Sequence, residues 1–317
     1  MKTGKLKHIY KFKIADIIVH ISSYIKLRDN SFTLHKQRFS RFMYSGKKLP
    51  SITIDVKVVD SFPEITLKPI FVVYDLDLDS ANWKLYKKNN EYIYAIKCIG
   101  TDMVAFINRK FDKARVFISK KEECNYRGEF IRFDFSWEIY DVVTYLLQFL
   151  MTHYLIENKL GVIIHCCGIK NRFNKGFIFA GSSGCGKTTI ARIMEKSKEN
   201  EVLNDDRIIV RKSKDKFKMY ASPWRGEFEN FVNSNTNGID LNKIYFIYPH
   251  QENVLGLIEP KKAFYKISTL ILASFWNKEY IKRAFDFCKY LVKDISCYDL
   301  GFKNNKSITK YLFSKKK

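Results

Sequence analysis

The chain has 317 residues, 46% hydrophobic and 15% aromatic, which suits one large or two moderate packed domains and excludes global disorder. With 56 Lys+Arg against 33 Asp+Glu, the formal net charge is +23, a balance that favours anionic partners. The charge is spread along the chain, its clearest run being Lys315–Lys317, and Lys, Asn, Ile, Tyr and Phe are abundant together. A coding bias accounts for that pattern as well as function does, so nucleic acid is not an expected partner.

Seven cysteines (Cys98, Cys124, Cys166, Cys167, Cys185, Cys288 and Cys297) make an odd set with no CxxC pair. That argues against a disulfide framework or a zinc site and for a reducing cytoplasm. No apolar leader-like run follows the basic Met1–Lys5. The most apolar segment, Ile139 to Leu155, is shorter than a membrane span and contains Asp141, Gln148 and His153. It reads as a buried helix, and no membrane partner is expected.

Residues 1–135 read as a β-rich region. Ser51–Val59 and Glu91–Ile99 alternate apolar and polar residues, and Met103–Ser119 reads as two strands about a turn at Arg109-Lys110. Leu34–Ser51 is basic and loop-like. From Ser136, a plausible N-cap, the period becomes helical: Tyr140, Val143, Leu147, Leu150, Met151 and Tyr154 fall on one face. Residues 136–317 are therefore expected to form a second domain. Its strands are expected at Gly161–Ile169, Phe177–Gly181, Glu201–Leu203, Arg207–Val210, Phe217–Ser222, Lys243–Pro249 and Cys297–Phe302. Its helices are expected at Lys187–Ser197, Lys261–Ser274 and Asn277–Lys293.

The chemistry concentrates around "GSSGCGKTT", Gly181 to Thr189. An apolar strand, GxxxxGKT and a helix in that order are the context of a phosphate-cradling loop. Gly181, Gly184 and Gly186 allow close backbone approach, and the N–H groups of Ser182, Ser183, Cys185 and their neighbours can form an anion-binding nest at a helix N-terminus. Lys187 is expected on the β/γ-phosphates of a bound triphosphate, with Thr188 on Mg²⁺ and Thr189 completing the loop.

Asp205 and Asp206 stand 18 and 19 residues after Lys187. Beside a metal–phosphate site, two adjacent carboxylates can divide labour: one holds Mg²⁺ and the other takes a proton from an attacking hydroxyl. Asn-Asp-Asp is also good turn chemistry between two strands. His165, 22 residues before Lys187, falls on a strand expected beside the loop's own, within reach of the aspartates. In "SPWRGEFEN", Ser222 to Asn230, Arg225 could neutralise a transferring phosphoryl group and Glu227 could bind metal; a local ion pair between them is the competing reading. Trp224 is either a core anchor or a wall of the substrate site. Cys166 and Cys167 read as core residues.

The succession "GVIIHCCGI", "FIFAGSSGCGKTTIARIM", "LNDDRIIV", "SPWRGE" resembles the HPr kinase/phosphorylase family over about Tyr140 to Pro260. The resemblance implies a mixed α/β, α+β architecture: a P-loop-containing nucleotide-binding core similar to phosphoenolpyruvate carboxykinases, preceded by the β-rich region. It looks closer still to stand-alone homologues with a "PW-x-GE" loop. Some of these are encoded with lasso and other ribosomal peptides and phosphorylate a precursor serine.

Carried onto this chain, the resemblance implies an ATP- and Mg²⁺-dependent serine kinase acting on a peptide or protein. Lys187 would be on the phosphates, Thr188, Asp206 and Glu227 around the metal, Asp205 or Asp206 the base, and His165 and Arg225 in support. Homo-oligomers occur in the family and are left open here. Two departures separate the chain from the bifunctional enzymes: Thr188-Thr189 replace Ser-Glu after the lysine, and Pro223 stands where an acid precedes the arginine. A nucleotide-sensing module, a nucleic-acid-associated NTPase and a carboxykinase are the alternatives.

Overall fold

Alternation builds the first sheet. In β3 (Ile52–Val58), Ile52, Ile54 and Val56 are buried while the residues between them are not, the period of a strand with one face in a core. The computed structural model describes residues 7–27, 39–75, 80–97, 101–120, 123–126, 129–132, 142–197, 199–224, 226 and 236–313. The other strands of this sheet are β1 (His8–Ile14), β2 (Ile17–Ser23), β4 (Phe71–Asp75), β5 (Ser80–Lys88), β6 (Glu91–Lys97), β7 (Thr101–Asn108) and β8 (Lys113–Lys120). Their order is β1-β2-β3-β8-β7-β6-β5-β4. β3 runs parallel to both β2 and β8, and β4 to β8 form an antiparallel meander. The expected pair about Arg109-Lys110 is β7 and β8. β9 (Glu123–Tyr126) and β10 (Glu129–Arg132) make a separate antiparallel ribbon.

The expected N-cap Ser136 and its neighbours to Tyr140 lie outside the described residues. Val142–Leu147 is a π-helical stretch that continues into α1 (Gln148–Glu157). Val143, Leu147, Leu150 and Met151 are all buried, as their spacing led one to expect. His153 stacks on Phe111 and lies 4.2 Å from Phe149, ring centre to ring centre. Burial pushes its pKa down to about 4, so the ring is neutral. Its Nδ1 lies 2.6 Å from the Phe149 carbonyl, an acceptor only, so the proton sits on Nδ1.

Contacts group the chain into two units. One comprises Met1–Lys13, Ile17–Lys36 and Met43–Tyr154; the other comprises Ile14–Asp16, Gln37–Phe42 and Leu155–Lys317. The chain passes from one to the other within α1, and residues 133–141, around the expected boundary at 135, are outside those described.

The second unit is built on β11 (Gly161–Asn171) and β12 (Gly176–Ala180), whose near-continuous burial marks strands covered on both faces. With them come β13 (Asn200–Asn204), β14 (Arg207–Ser213), β15 (Lys216–Tyr220), β16 (Ile239–Pro249), β17 (Val254–Ile258) and β18 (Ser296–Phe302). Their order is β12-β11-β14-β15-β16-β18-β17, with β13 also on β11 and β12 also parallel to β16. Two long strands make this possible. β11 pairs with β14 through Gly161–His165 and with β12 through Cys166–Lys170; β16 likewise serves β15 and then β12 and β18. The pairings therefore close a ring, β12-β11-β14-β15-β16-β12. The protein is thus mixed α/β, with two large mixed sheets.

α2 (Lys187–Glu195), α3 (Pro260–Ser268), α4 (Lys278–Asp294) and α5 (Ser307–Phe313) pack in the second unit. α4 starts where expected, capped by the Asn277 side chain on the Glu279 and Tyr280 N–H groups. α3 stops six residues short of the expected Ser274. Leu270 and Leu272 exchange backbone hydrogen bonds with β11 instead, accepting from His165 N–H and donating to the Ile163 carbonyl. Tertiary pairing overrides helix propensity there. β17 and α5 were not expected from the sequence. Under α2, Ile190, Ala191 and Met194 meet Phe177, Phe179, Tyr245 and Leu300 in one core.

Phe179 of β12 is fully buried and stacks on Tyr245 with ring centres 5.2 Å apart. Phe179→Ala is expected to lower stability by about 3–5 kcal/mol, read as an earlier urea midpoint with little change in slope.

Candidate functional site

β12 delivers the chain into the glycine-rich loop between two strands that pair with it, β11 and β16. Gly184 (φ 77°) and Gly186 (φ 100°) both take the left-handed conformation that glycine adopts without strain. Gly186 is the N-cap of α2, so the loop's N–H groups and the positive end of the helix lie together. A side chain at Gly186 would also run into Phe302 of β18, whose ring carbon lies 2.6 Å from where a Cβ would stand.

Lys187 is buried, and its Nζ donates to the Gly181 and Ser182 carbonyls, each at 3.0 Å. Cys185 points into the core, where burial pushes its thiol pKa up. It therefore belongs to the loop's footing. Cys166 and Cys167 are core residues, as expected, with thiols held protonated by burial.

The aspartate pair sits in a bend between β13 and β14, alongside β11. Gly168 faces Asn204 and His165 faces Arg207, which places Asp205 and Asp206 opposite Cys167 and Cys166. Adjacent residues on a strand point to opposite faces, so two neighbouring carboxylates reach one cavity only if the strand bends. Asn204 bends it. Its buried Oδ1 accepts from the N–H groups of Asp206 (2.8 Å) and Arg207 (3.0 Å). Its Nδ2 donates to the Ser222 and Trp224 carbonyls, each at 3.0 Å. Ser222 adds Oγ bonds to the Arg207 and Trp224 carbonyls. The same network that shapes the turn therefore ties down the start of the Ser222–Gly226 loop.

Asp205 is almost fully buried and accepts from the Gly226 N–H at 3.0 Å. A Cβ on Gly226 would stand 2.8 Å from Asp205 Oδ2, so a side chain there would displace the carboxylate. Asp206 lies 2.9 Å from His165 Nδ1 and 2.7 Å from Arg207 Nη1, and the Arg207 guanidinium also touches the imidazole. Burial alone would raise the Asp206 pKa. The His165 hydrogen bond and the charges of Arg207, His165 and Lys187 outweigh it, so the carboxyl titrates below its ordinary 3.8.

His165, Ser183, Gly184, Gly186, Lys187, Thr188, Thr189, Asp205, Asp206 and Gly226 line a single open cavity of about 450 Å³. Most residues singled out in the sequence thus meet in one place. Gly181 and Ser182 supply the carbonyls that hold Lys187, and Cys185 is packed in the core. Trp224 is buried, as a core anchor would be. Arg225 and Glu227 lie outside the described residues. Asn204, Arg207 and Ser222 went unnoticed as parts of the site, although Asn204 and Arg207 flank the aspartates and the Asn-Asp-Asp run had the composition of a turn.

The oxygen donors at the cavity suit a hard cation. Mg²⁺ takes one or two carboxylates and completes its octahedron with water and phosphate oxygens, and Asp205, Asp206 and Thr188 offer that chemistry. Among the described residues, no three His, Cys, Asp or Glu side chains form an all-protein metal cage.

Asn204→Ala would strand several buried N–H and C=O groups and is expected to destabilise the protein by about 2–4 kcal/mol, measured by denaturant unfolding. For Asp206 the folded pKa is depressed, so its ionised form adds stability above about pH 4 that is lost as pH falls through the lower folded value. The melting-temperature gap between the native protein and Asp206→Asn should be widest near neutrality and shrink below about pH 4. A gap constant with pH would contradict the ion-pair geometry. In comparisons with known proteins, the chain matches no family model and no curated protein.

Proposed function

We propose that this protein is an ATP- and Mg²⁺-dependent kinase that phosphorylates a serine hydroxyl of a peptide or protein. One observation carries the reading: a glycine-rich anion nest with its lysine opens onto the same cavity as two adjacent carboxylates, one of them paired with histidine and arginine. A nucleotide-binding loop alone would need no such second wall. Under this reading the second unit is a P-loop core of the phosphoenolpyruvate-carboxykinase-like kind, and the resemblance to HPr kinase/phosphorylases supports it.

In the proposed reaction the serine oxygen forms a bond to the γ-phosphorus as the bond to the bridging oxygen of ATP breaks and ADP leaves. The hydroxyl proton passes to a carboxylate. Loop N–H groups and Lys187 hold the triphosphate, and Mg²⁺ would neutralise charge on its oxygens. Asp206, kept ionised by His165 and Arg207, is a weak base and a strong anion, so it is assigned to the metal together with Thr188. Asp205, aimed by the Gly226 N–H, is assigned as the base. His165 then positions Asp206. Arg225 and Glu227, which follow Trp224 in the sequence, are assigned, on the resemblance alone, to phosphoryl charge and metal.

The direct test is transfer of radiolabelled γ-phosphate from ATP to serine-containing peptides, with product mapped by mass spectrometry. Asp205→Asn should lower transfer by at least about 10²-fold while ATP still binds. Lys187→Ala should weaken both binding and transfer, and Asp206→Asn should raise the Mg²⁺ concentration required. ATP binding without a phosphopeptide product, or full transfer by Asp205→Asn, would overturn the assignment.

A further inference from the structure

β17 is the terminal strand of the second sheet, bonded along one side to β18 with no break in register. Soluble proteins guard such edges with lysine, proline, bulges or a covering segment. In a chain with 56 Lys+Arg, the five residues Val254-Leu255-Gly256-Leu257-Ile258 hold no charge and no proline. Leu255 and Leu257 project on the same face, 39% and 72% exposed, next to their cross-strand neighbours Leu300 and Tyr298. Among the described residues no strand takes the outer side of β17.

The strand also has a symmetry. Leucine stands on either side of Gly256, and a β-branched residue stands beyond each leucine. A two-fold axis requires a surface that complements itself. We propose that β17 pairs antiparallel with β17 of a second copy of this chain, about a two-fold axis through Gly256, so that the sheet continues from one protomer into the next. Leu255 then faces Leu257 of the partner subunit, and Val254 faces Ile258 of the partner subunit. The four leucines form one strip extending the apolar face at Tyr298 and Leu300. Gly256 meets its own counterpart, and nothing lies within 4 Å of where its Cβ would be, so the axis is clear of side chains. An unrelated peptide strand would not call for this mirrored pattern, which is why a second copy is the occupant. The assignment is independent of the reaction proposed above.

Sedimentation velocity of the full chain across a concentration series should show a species of twice the chain mass. Leu257→Lys, which sets a charge on a residue already largely exposed, should convert it to monomer with an unchanged circular dichroism spectrum. Gly256→Cys should give a disulfide-linked dimer under mild oxidation, because antiparallel partners sit about 4.5–5.5 Å apart at Cα, within the disulfide range. The unmodified chain sets the background; Cys166, Cys167, Cys185, Cys288 and Cys297 are buried. A protein that stays monomeric at every concentration would overturn the proposal. So would a dimer that survives Leu257→Lys while Gly256→Cys cross-links no better than the unmodified chain.

Discussion

A buried side-chain amide decides the geometry of this molecule's candidate site. Asn204 has no exposure to solvent, and it spends its carbonyl oxygen on two successive N–H groups and its amino group on two carbonyls of another segment. The first pair of bonds bends the strand so that Asp205 and Asp206 can face one cavity. The second fixes the segment that brings Gly226 against Asp205. A buried polar network of this kind gives one arrangement a large advantage over its neighbours, because any slip leaves several groups unpaired in a medium without water.

Charge then sorts the two carboxylates. They are chemically identical and adjacent, yet one lies beneath a glycine N–H and the other between an imidazole and a guanidinium. Placing two carboxylates in one cavity would ordinarily push a proton onto one of them. Here Lys187, Arg207 and His165 supply compensating charge or hydrogen bonds, so Asp206 can stay ionised although largely buried.

Much of this was legible beforehand. The strand–loop–helix order around Lys187, the strand bearing His165 and the aspartate pair all follow from residue type and spacing, and they converge in the structure. Local patterns served well where one element decides its own shape, as in α4, whose Asn277 cap and apolar stripe lie within its own sequence. They failed where distant chain decides. α3 ends early because β11 offers Leu270 and Leu272 better hydrogen bonds than another helical turn would. β17 escaped notice because a five-residue apolar run is ambiguous until a neighbour such as β18 is known. Asn204 was visible as a turn former, but its role depends on carbonyls some twenty residues away in sequence, which no local pattern reports.

The ring of strands has a bearing on how the chain acquires its form during synthesis. The glycine-rich loop stands mid-chain, but β12, which feeds it, is flanked by β16, and Gly186 rests on Phe302 near the far end of β18. A growing chain therefore holds the residues of the glycine-rich loop before it holds their supports. Pairings between strands far apart in sequence are the slow part of folding. The glycine-rich loop can therefore take up its final supports only after β16 and β18 have been made.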